Sequence, residues 1–138
     1  MSRFLLDTNI VCEVRKPKPH GAVVAWLEAA PQEELGIPAV VLGELQAGAE
    51  MTRLQNPAKA IELEAWIERI ASTFQVIPMD GVCFREWARL MRGRSDTFRE
   101  DAMIAATARV YGYTVATRNT NDFASFGVSL FNPFTYRP

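Results

Sequence analysis

The sequence predicts an α/β fold in which a parallel five-stranded sheet is covered by helices on both faces. Two observations carry that reading. Short apolar runs of strand length alternate with longer stretches whose apolar residues recur at helical spacing, the pattern of strands joined by crossover helices. No internal repeat, low-complexity tract or linker breaks the alternation, and 138 residues suffice for one core, so 1–138 reads as a single domain.

Arg3 to Asp7, with Phe4, Leu5 and Leu6 inside, is a buried first strand, and a helix begins near Thr8 or Asn9. Lys16-Pro17-Lys18-Pro19 is a loop, because each proline disfavours helical geometry in the residue before it. Val23, Trp26, Leu27 and Ala30 fall at helical spacing within Ala22 to Ala30. Glu34 to Ile37 is a short second strand, and Pro38 opens a helix towards Leu54. Pro57 opens the next, with Leu63, Trp66, Ile67, Ile70 and Phe74 on one face, and Phe74 to Met79 is the third strand. Asp80 caps a helix carrying Cys83, Trp87, Leu90 and Met91. A loop around Arg94-Ser95-Asp96 leads to a helix from about Glu100 to Tyr111, ended by Gly112. Tyr113 to Thr117 and Val128 to Phe131 supply the last two strands. Ligands of such sheets bind outside the carboxyl ends of the strands. The chemistry is therefore expected in the residues that follow each strand.

Hydrophobic residues make up 49% and charged residues 22%, the balance of a soluble globular chain. No apolar run approaches the roughly 18–20 residues that cross a bilayer, so no membrane partner is expected. The first apolar stretch reaches Asp7 without the basic start and cleavage site of a signal peptide. Cys12 and Cys83 have no metal-ligand spacing and read as reduced packing thiols, which fits a cytoplasmic address. The net charge of −1 conceals two basic clusters. One is Arg15, Lys16 and Lys18; the other is Arg85, Arg89, Arg92, Arg94 and Arg99, set against Glu86 and Asp96. Each alone is a solvated face, and each gains meaning only beside an acidic catalytic site.

Four acids stand where acids are costly or conspicuous. Asp7 directly follows the first strand, either as a helix cap or as a carboxylate at the sheet's edge. Glu44 shares a helix face with Val41, Leu45 and Gly48, and an ionised Glu on a buried face needs a partner or a metal. Asp101 shares a face with Ile104, Ala105 and Ala108; the helix dipole would account for an acid in the first turn but not for its apolar face. Glu100 and Asp96 point elsewhere or lie in a loop, and rank below it. Asp122 lies in the polar turn Thr117-Arg118-Asn119-Thr120-Asn121-Asp122, where it is either a structural loop acid or helix cap or a site residue, and Asn119 likewise has a structural and a functional reading.

Carboxylates gathered at one strand edge repel and raise one another's pKa values. A hard divalent cation removes that conflict, and Mg²⁺ or Mn²⁺ with oxygen ligands suits hydrolysis of a phosphodiester. Other catalysts fail on composition. His20 is the only histidine, so a histidine-pair ribonuclease, a Ser–His triad and a His-ligated zinc site are excluded. Lysine occurs only at 16, 18 and 59, which removes the late lysine of a receiver domain. A haloacid-dehalogenase phosphatase requires Asp two residues after the first, where this chain has Asn9.

Leu5-Leu6-Asp7-Thr8-Asn9, Gly43-Glu44-Leu45, Glu100-Asp101-Ala102-Met103-Ile104-Ala105-Ala106-Thr107-Ala108 and Thr117 to Phe123 together resemble the PIN-domain toxins of the VapC family. The FitB-like, or plasmid-stability, branch is the nearest in pattern, through Arg15-Lys16-Pro17, Ala25-Trp26-Leu27 and Asn132-Pro133-Phe134. The resemblance spans nearly the whole chain, and it is the ordered combination that is specific. It implies a PIN-like five-stranded parallel sheet, a homodimer and Mg²⁺- or Mn²⁺-dependent endoribonuclease activity on an RNA substrate. It also implies inhibition by a small cognate antitoxin whose C-terminal segment crosses the active-site groove. Asp7, Glu44, Asp101 and Asp122 carry over as the acidic site, with Asp7 and Asp101 as metal ligands. Thr8, Asn9 and Asn119 carry over as supporting groups that orient a carboxylate or water. The segment Ser95 to Glu100 departs from the more apolar lead-in of relatives. Two other readings stay open: a PIN fold that binds its partner or RNA without cutting, and a metal-dependent DNase.

Overall fold

The computed structural model describes residues 2–138. Among them five strands, β1 (Phe4–Leu6), β2 (Leu35–Pro38), β3 (Gln75–Ile77), β4 (Thr114–Ala116) and β5 (Leu130–Phe131), form one sheet in the order β3-β2-β1-β4-β5. All the pairings are parallel, and Leu5 lies opposite Gly36 on one side and Val115 on the other. Parallel neighbours need crossovers. These are α1 (Thr8–Glu13), α2 (Gly21–Ala29), α3 (Ala39–Arg53), α4 (Pro57–Thr73), α5 (Gly81–Met91), α6 (Arg99–Tyr111) and α7 (Thr120–Phe123). Crossovers are right-handed, so the steps from β1 out to β3 lay α1–α4 on one face, and the return to β4 and β5 lays α5–α7 on the other. The direction of winding reverses between β1 and β4, and the crevice for a ligand opens there.

Apart from Thr114 at the start of β4, the strands β1 and β4 are apolar because both of their faces are covered: Leu5, Leu6, Val115 and Ala116, like Ile37 of β2, are at most 1% exposed. The small buried residues Ala102, Ala105, Ala106 and Ala108 let α6 lie close against the sheet. Gly36 suits a close approach, since a Cβ there would stand 3.0 Å from Cγ1 of Ile77 on β3 and the isoleucine would have to shift. At the other end, Phe4 sits between Trp26 of α2 and Phe131 of β5, with ring centroids 5.1 and 5.9 Å away. No helix among the described residues is long and apolar enough to cross a membrane.

The elements follow the expected order, with boundaries moved by local chemistry. Pro38 ends β2 and stands at the N-cap of α3 instead of opening the helix from within. Phe74 is the extended residue that closes α4, its N–H donating to Ile70 O, and β3 begins only after it. The expected loop at Arg94 to Asp96 contains a 3₁₀ turn (Asp96–Phe98) capped by Ser95, so α6 starts at Arg99. Gly127, at φ 66°, must first reverse the chain after a further 3₁₀ turn (Ala124–Phe126), and β5 is cut to Leu130 and Phe131. Gly112, at φ 76°, ends α6 as the spacing required.

Candidate active site

The site grows from two adjacent strand ends. Asp7 follows β1 and Thr117 follows β4, and Asp7 N–H continues the ladder by donating to Ala116 O at 3.0 Å. Both side chains are buried, Asp7 at 6% and Thr117 at 0% exposure. The Thr117 hydroxyl donates to Asp7 Oδ2 at 2.8 Å, while its oxygen accepts from Asn9 Nδ2 at 3.2 Å and from Asn119 N–H at 3.0 Å. Asp7 Oδ1 caps α1 by accepting from Thr8 N–H at 2.8 Å, and Oδ2 accepts from Asn9 Nδ2 at 3.2 Å. The carboxylate is both a helix cap and a fixed acid; the two readings of Asp7 are not alternatives.

Thr8 extends the network to the next element. Its hydroxyl donates to Glu44 Oε1 at 3.1 Å, which draws the half-buried Glu44 of α3 to the start of α1. Asp101 enters from the first turn of α6. Asp122 stands exposed in the first turn of α7, its N–H donating to Asn119 O at 3.1 Å. Electrostatics ties the four together. Burial pushes Asp101 up to about 6, with Asp7, Asp122 and Glu100 adding repulsion. Burial also raises Asp7, against the bonds from Thr117, Thr8 and Asn9, and Asp122 adds to the rise. Glu44 is raised by burial, eased by Thr8 and opposed again by Asp7, Glu100 and Asp101.

Among the described residues, no ion pair offsets Asp7, Glu44, Asp101 or Asp122. Nor do any three Asp, Glu, His or Cys side chains among them form a ready-made metal cage. The donor set nevertheless fits Mg²⁺ or Mn²⁺, which keep several waters and take only one or two carboxylates directly. Carboxylates raised by burial and by mutual repulsion, and lacking a protein cation, gain most from such an ion.

Sequence spacing missed Thr117, whose hydroxyl is the hub of the network. The available signal was its position: a polar residue directly after an apolar strand, as Asp7 is after β1. Glu100, ranked below Asp101, lies near enough to raise both Asp101 and Glu44. Of the two basic clusters, Arg15 and Lys16 line a groove of about 540 Å³ with Thr8, Glu44 and Trp66, and Arg15 lies over the Trp66 ring. In the other, Arg94 donates to Leu90 O and to Ser125, and Arg89 pairs with Glu86.

A family model described as PIN domain matches residues 4–128. A relative named VapC ribonuclease Y4jK, from Sinorhizobium fredii, is 34% identical over 95% of this chain and 97% of its own. Toxin FitB of Neisseria gonorrhoeae is 32% identical over 95% of this chain and 98% of its own. The crystal structure of FitAcB from Neisseria gonorrhoeae superimposes with a TM-score of 0.82 at 34% identity, covering 96% of this chain and 99% of that one.

Proposed function

The chain belongs to the PIN-domain family, and on that premise we propose that it is a divalent-metal-dependent endoribonuclease, the toxin of a toxin–antitoxin pair. The observation that carries this reading is the set of hydrogen bonds running Thr117–Asp7–Thr8–Glu44. It fixes two carboxylates from different elements at the switch point of the sheet, with the charge of Asp101 close enough to be felt. Relatives named as a ribonuclease and as a toxin support the substrate and the biological role.

Asp7 and Asp101 would hold Mg²⁺ or Mn²⁺, with Glu44 and Asp122 bordering the ion and its waters. The bound ion would offset charge on the phosphodiester and acidify a water. The residues do the rest. Thr117 and Asn9 hold Asp7 Oδ2 in one direction, and Thr8 N–H fixes Oδ1, so the carboxylate is aimed before any ligand arrives. Thr8 and Asn119 orient Glu44 and the turn that carries Asp122. Among the described residues, no histidine or lysine hydrogen-bonds into this network to recruit the 2′-hydroxyl of the substrate, which favours water as the nucleophile.

A small antitoxin would silence the site by laying a segment along the groove between α1, α3 and α4, with a cation opposite Glu44. The protein would act as a homodimer in the cytoplasm, where Cys12 and Cys83 stay reduced. The test is cleavage of RNA and DNA oligonucleotides of matched sequence, with and without Mn²⁺. RNA cut only with the metal is the expected result. Cutting of DNA alone, or of neither, would overturn the reading.

A further inference from the structure

The acids of the site repel an approaching phosphodiester, and a fixed protein cation on the substrate's path would add to what a bound metal ion offsets. Arg118 meets that need. It follows Thr117, and its backbone N–H donates to Asn9 Oδ1 at 3.1 Å. The same Asn9 amide donates to Asp7 Oδ2 and to Thr117 Oγ1, so the Arg118 backbone is set relative to Asp7 by a single side chain.

The Arg118 side chain is held as firmly. Its guanidinium carbon lies 4.6 Å from the centroid of the Phe134 ring. Phe134 is fixed in turn by its N–H donating to Asn132 Oδ1 at 3.0 Å, and by edge contact with the His20 ring, centroids 5.0 Å apart. His20 is anchored at both ends. Its N–H donates to Glu13 Oε2 at 2.9 Å, and its Nδ1 accepts from Ala22 N–H at 3.2 Å. The Lys/Pro loop and the C-terminal segment thus meet beneath one exposed arginine whose backbone is tied to Asp7 through Asn9.

The guanidinium is also left free to bind a ligand. Stacking on a ring uses its face and leaves the in-plane N–H donors pointing outward. Arg94 and Arg109 spend theirs on carbonyls or on Glu86. Among the described residues, Arg118 has no carboxylate within ion-pair distance and its side chain donates to no protein acceptor. It is an exposed, pre-ordered, planar cation carried one residue after Thr117, which bonds the first acid of the proposed site.

Building on the nuclease reading, we infer that Arg118 binds the RNA backbone phosphate adjacent to the one cleaved, and that Phe134 is the positioning residue that keeps its donors aimed at that phosphate. Such a contact draws substrate in without touching the acids, so it acts on KM more than on kcat.

The test is steady-state cleavage of a fluorescent oligoribonucleotide over a range of salt, with Mn²⁺ affinity measured by calorimetry. Arg118→Ala is expected to raise KM about tenfold with a smaller fall in kcat. Its salt slope should fall by about 1, and its Mn²⁺ affinity should be unchanged. Arg118→Lys should keep the salt slope and recover KM only in part, because a point charge replaces a planar fork. Phe134→Leu should keep the slope and raise KM by less than Arg118→Ala does. An Arg118→Ala protein with the wild-type KM and slope, or one whose loss lies in kcat and Mn²⁺ affinity alone, overturns the inference and leaves the nuclease reading intact. A wild-type protein that cuts no RNA overturns both.

Discussion

Thr117 donates its hydroxyl hydrogen to Asp7 Oδ2 at 2.8 Å, joining the ends of β4 and β1 across 110 positions of sequence. The bond is buried on both sides, and it makes the residue that follows one strand responsible for the aim of the acid that follows its neighbour. A sheet with this strand order places those two residues side by side because β1 and β4 pair in parallel, Leu6 opposite Ala116.

Thr117→Val keeps the shape and removes the hydroxyl. Asp7 loses a donor, and Asn9 and Asn119 N–H lose an acceptor. The expected cost is about 1–3 kcal/mol in stability, read from chemical unfolding. Mn²⁺ affinity should fall by about 10–100-fold, the usual loss when a group that orients a ligand is removed. Calorimetric titration of Mn²⁺ checks the second figure, and wild-type affinity would make Thr117 a purely structural residue.

Asp7→Asn and Asp101→Asn should each abolish RNA cleavage and weaken Mn²⁺ binding while the fold survives. Removing one of several repelling charges relieves strain in the metal-free protein. Circular dichroism and cleavage on the same samples separate loss of activity from loss of structure. Full activity in both variants would sink the assignment of the acids.

The metal-free protein should lose stability as pH rises between about 4 and 6. Asp101 is raised from 3.8 to about 6 in the folded chain, so the folded state binds more protons than the unfolded one over that window. A raised carboxyl therefore stabilises below the unfolded value, and that contribution disappears as pH climbs through the folded one. Thermal melts in EDTA across the window measure the slope, and Asp101→Asn should flatten it. Added Mn²⁺ should reverse the trend, because the ion binds the ionised acids. A slope unaltered by Asp101→Asn would contradict the picture of burial and repulsion at this residue.

Much of this architecture is legible in the sequence, for physical reasons that differ from residue to residue. Strands buried on both faces are mostly apolar, so Phe4-Leu5-Leu6 and Val115-Ala116 are visible as short runs. Glu44 and Asp101 stand out because an acid on an apolar helix face is costly without a reason. Boundaries are less visible: nothing in Val128 to Phe131 announces that Gly127 delays the strand to Leu130. Thr117 escaped because threonine is ordinary in a strand, and its role rests on a partner 110 positions away. The Arg118–Phe134–His20 stack was equally hidden, since its members come from three segments with no shared periodicity.

Expression of the chain alone should arrest growth of its host, and co-expression with the small protein encoded beside it should restore growth. The groove lined by Thr8, Arg15, Glu44 and Trp66 is the expected seat of that partner. Leu63→Arg, which places a bulky charge in the groove wall, should weaken the complex in a pull-down while leaving RNA cleavage in place. Harmless overexpression of an enzyme that is active in vitro would count against the toxin role.

The most direct measurement is mass spectrometry of the RNA ends left by cleavage with Mg²⁺ or Mn²⁺, alongside a reaction in EDTA. His20 is the only histidine and the lysines are confined to 16, 18 and 59, so the chain lacks the acid–base pair that would use the 2′-hydroxyl. Water attacking in line and expelling the 3′-oxygen leaves a 5′-phosphate and a 3′-hydroxyl, with no cutting in EDTA and little with the larger, looser Ca²⁺. Cyclic phosphates at the 3′ ends, formed equally well in EDTA, would contradict the acidic site as the engine of the reaction.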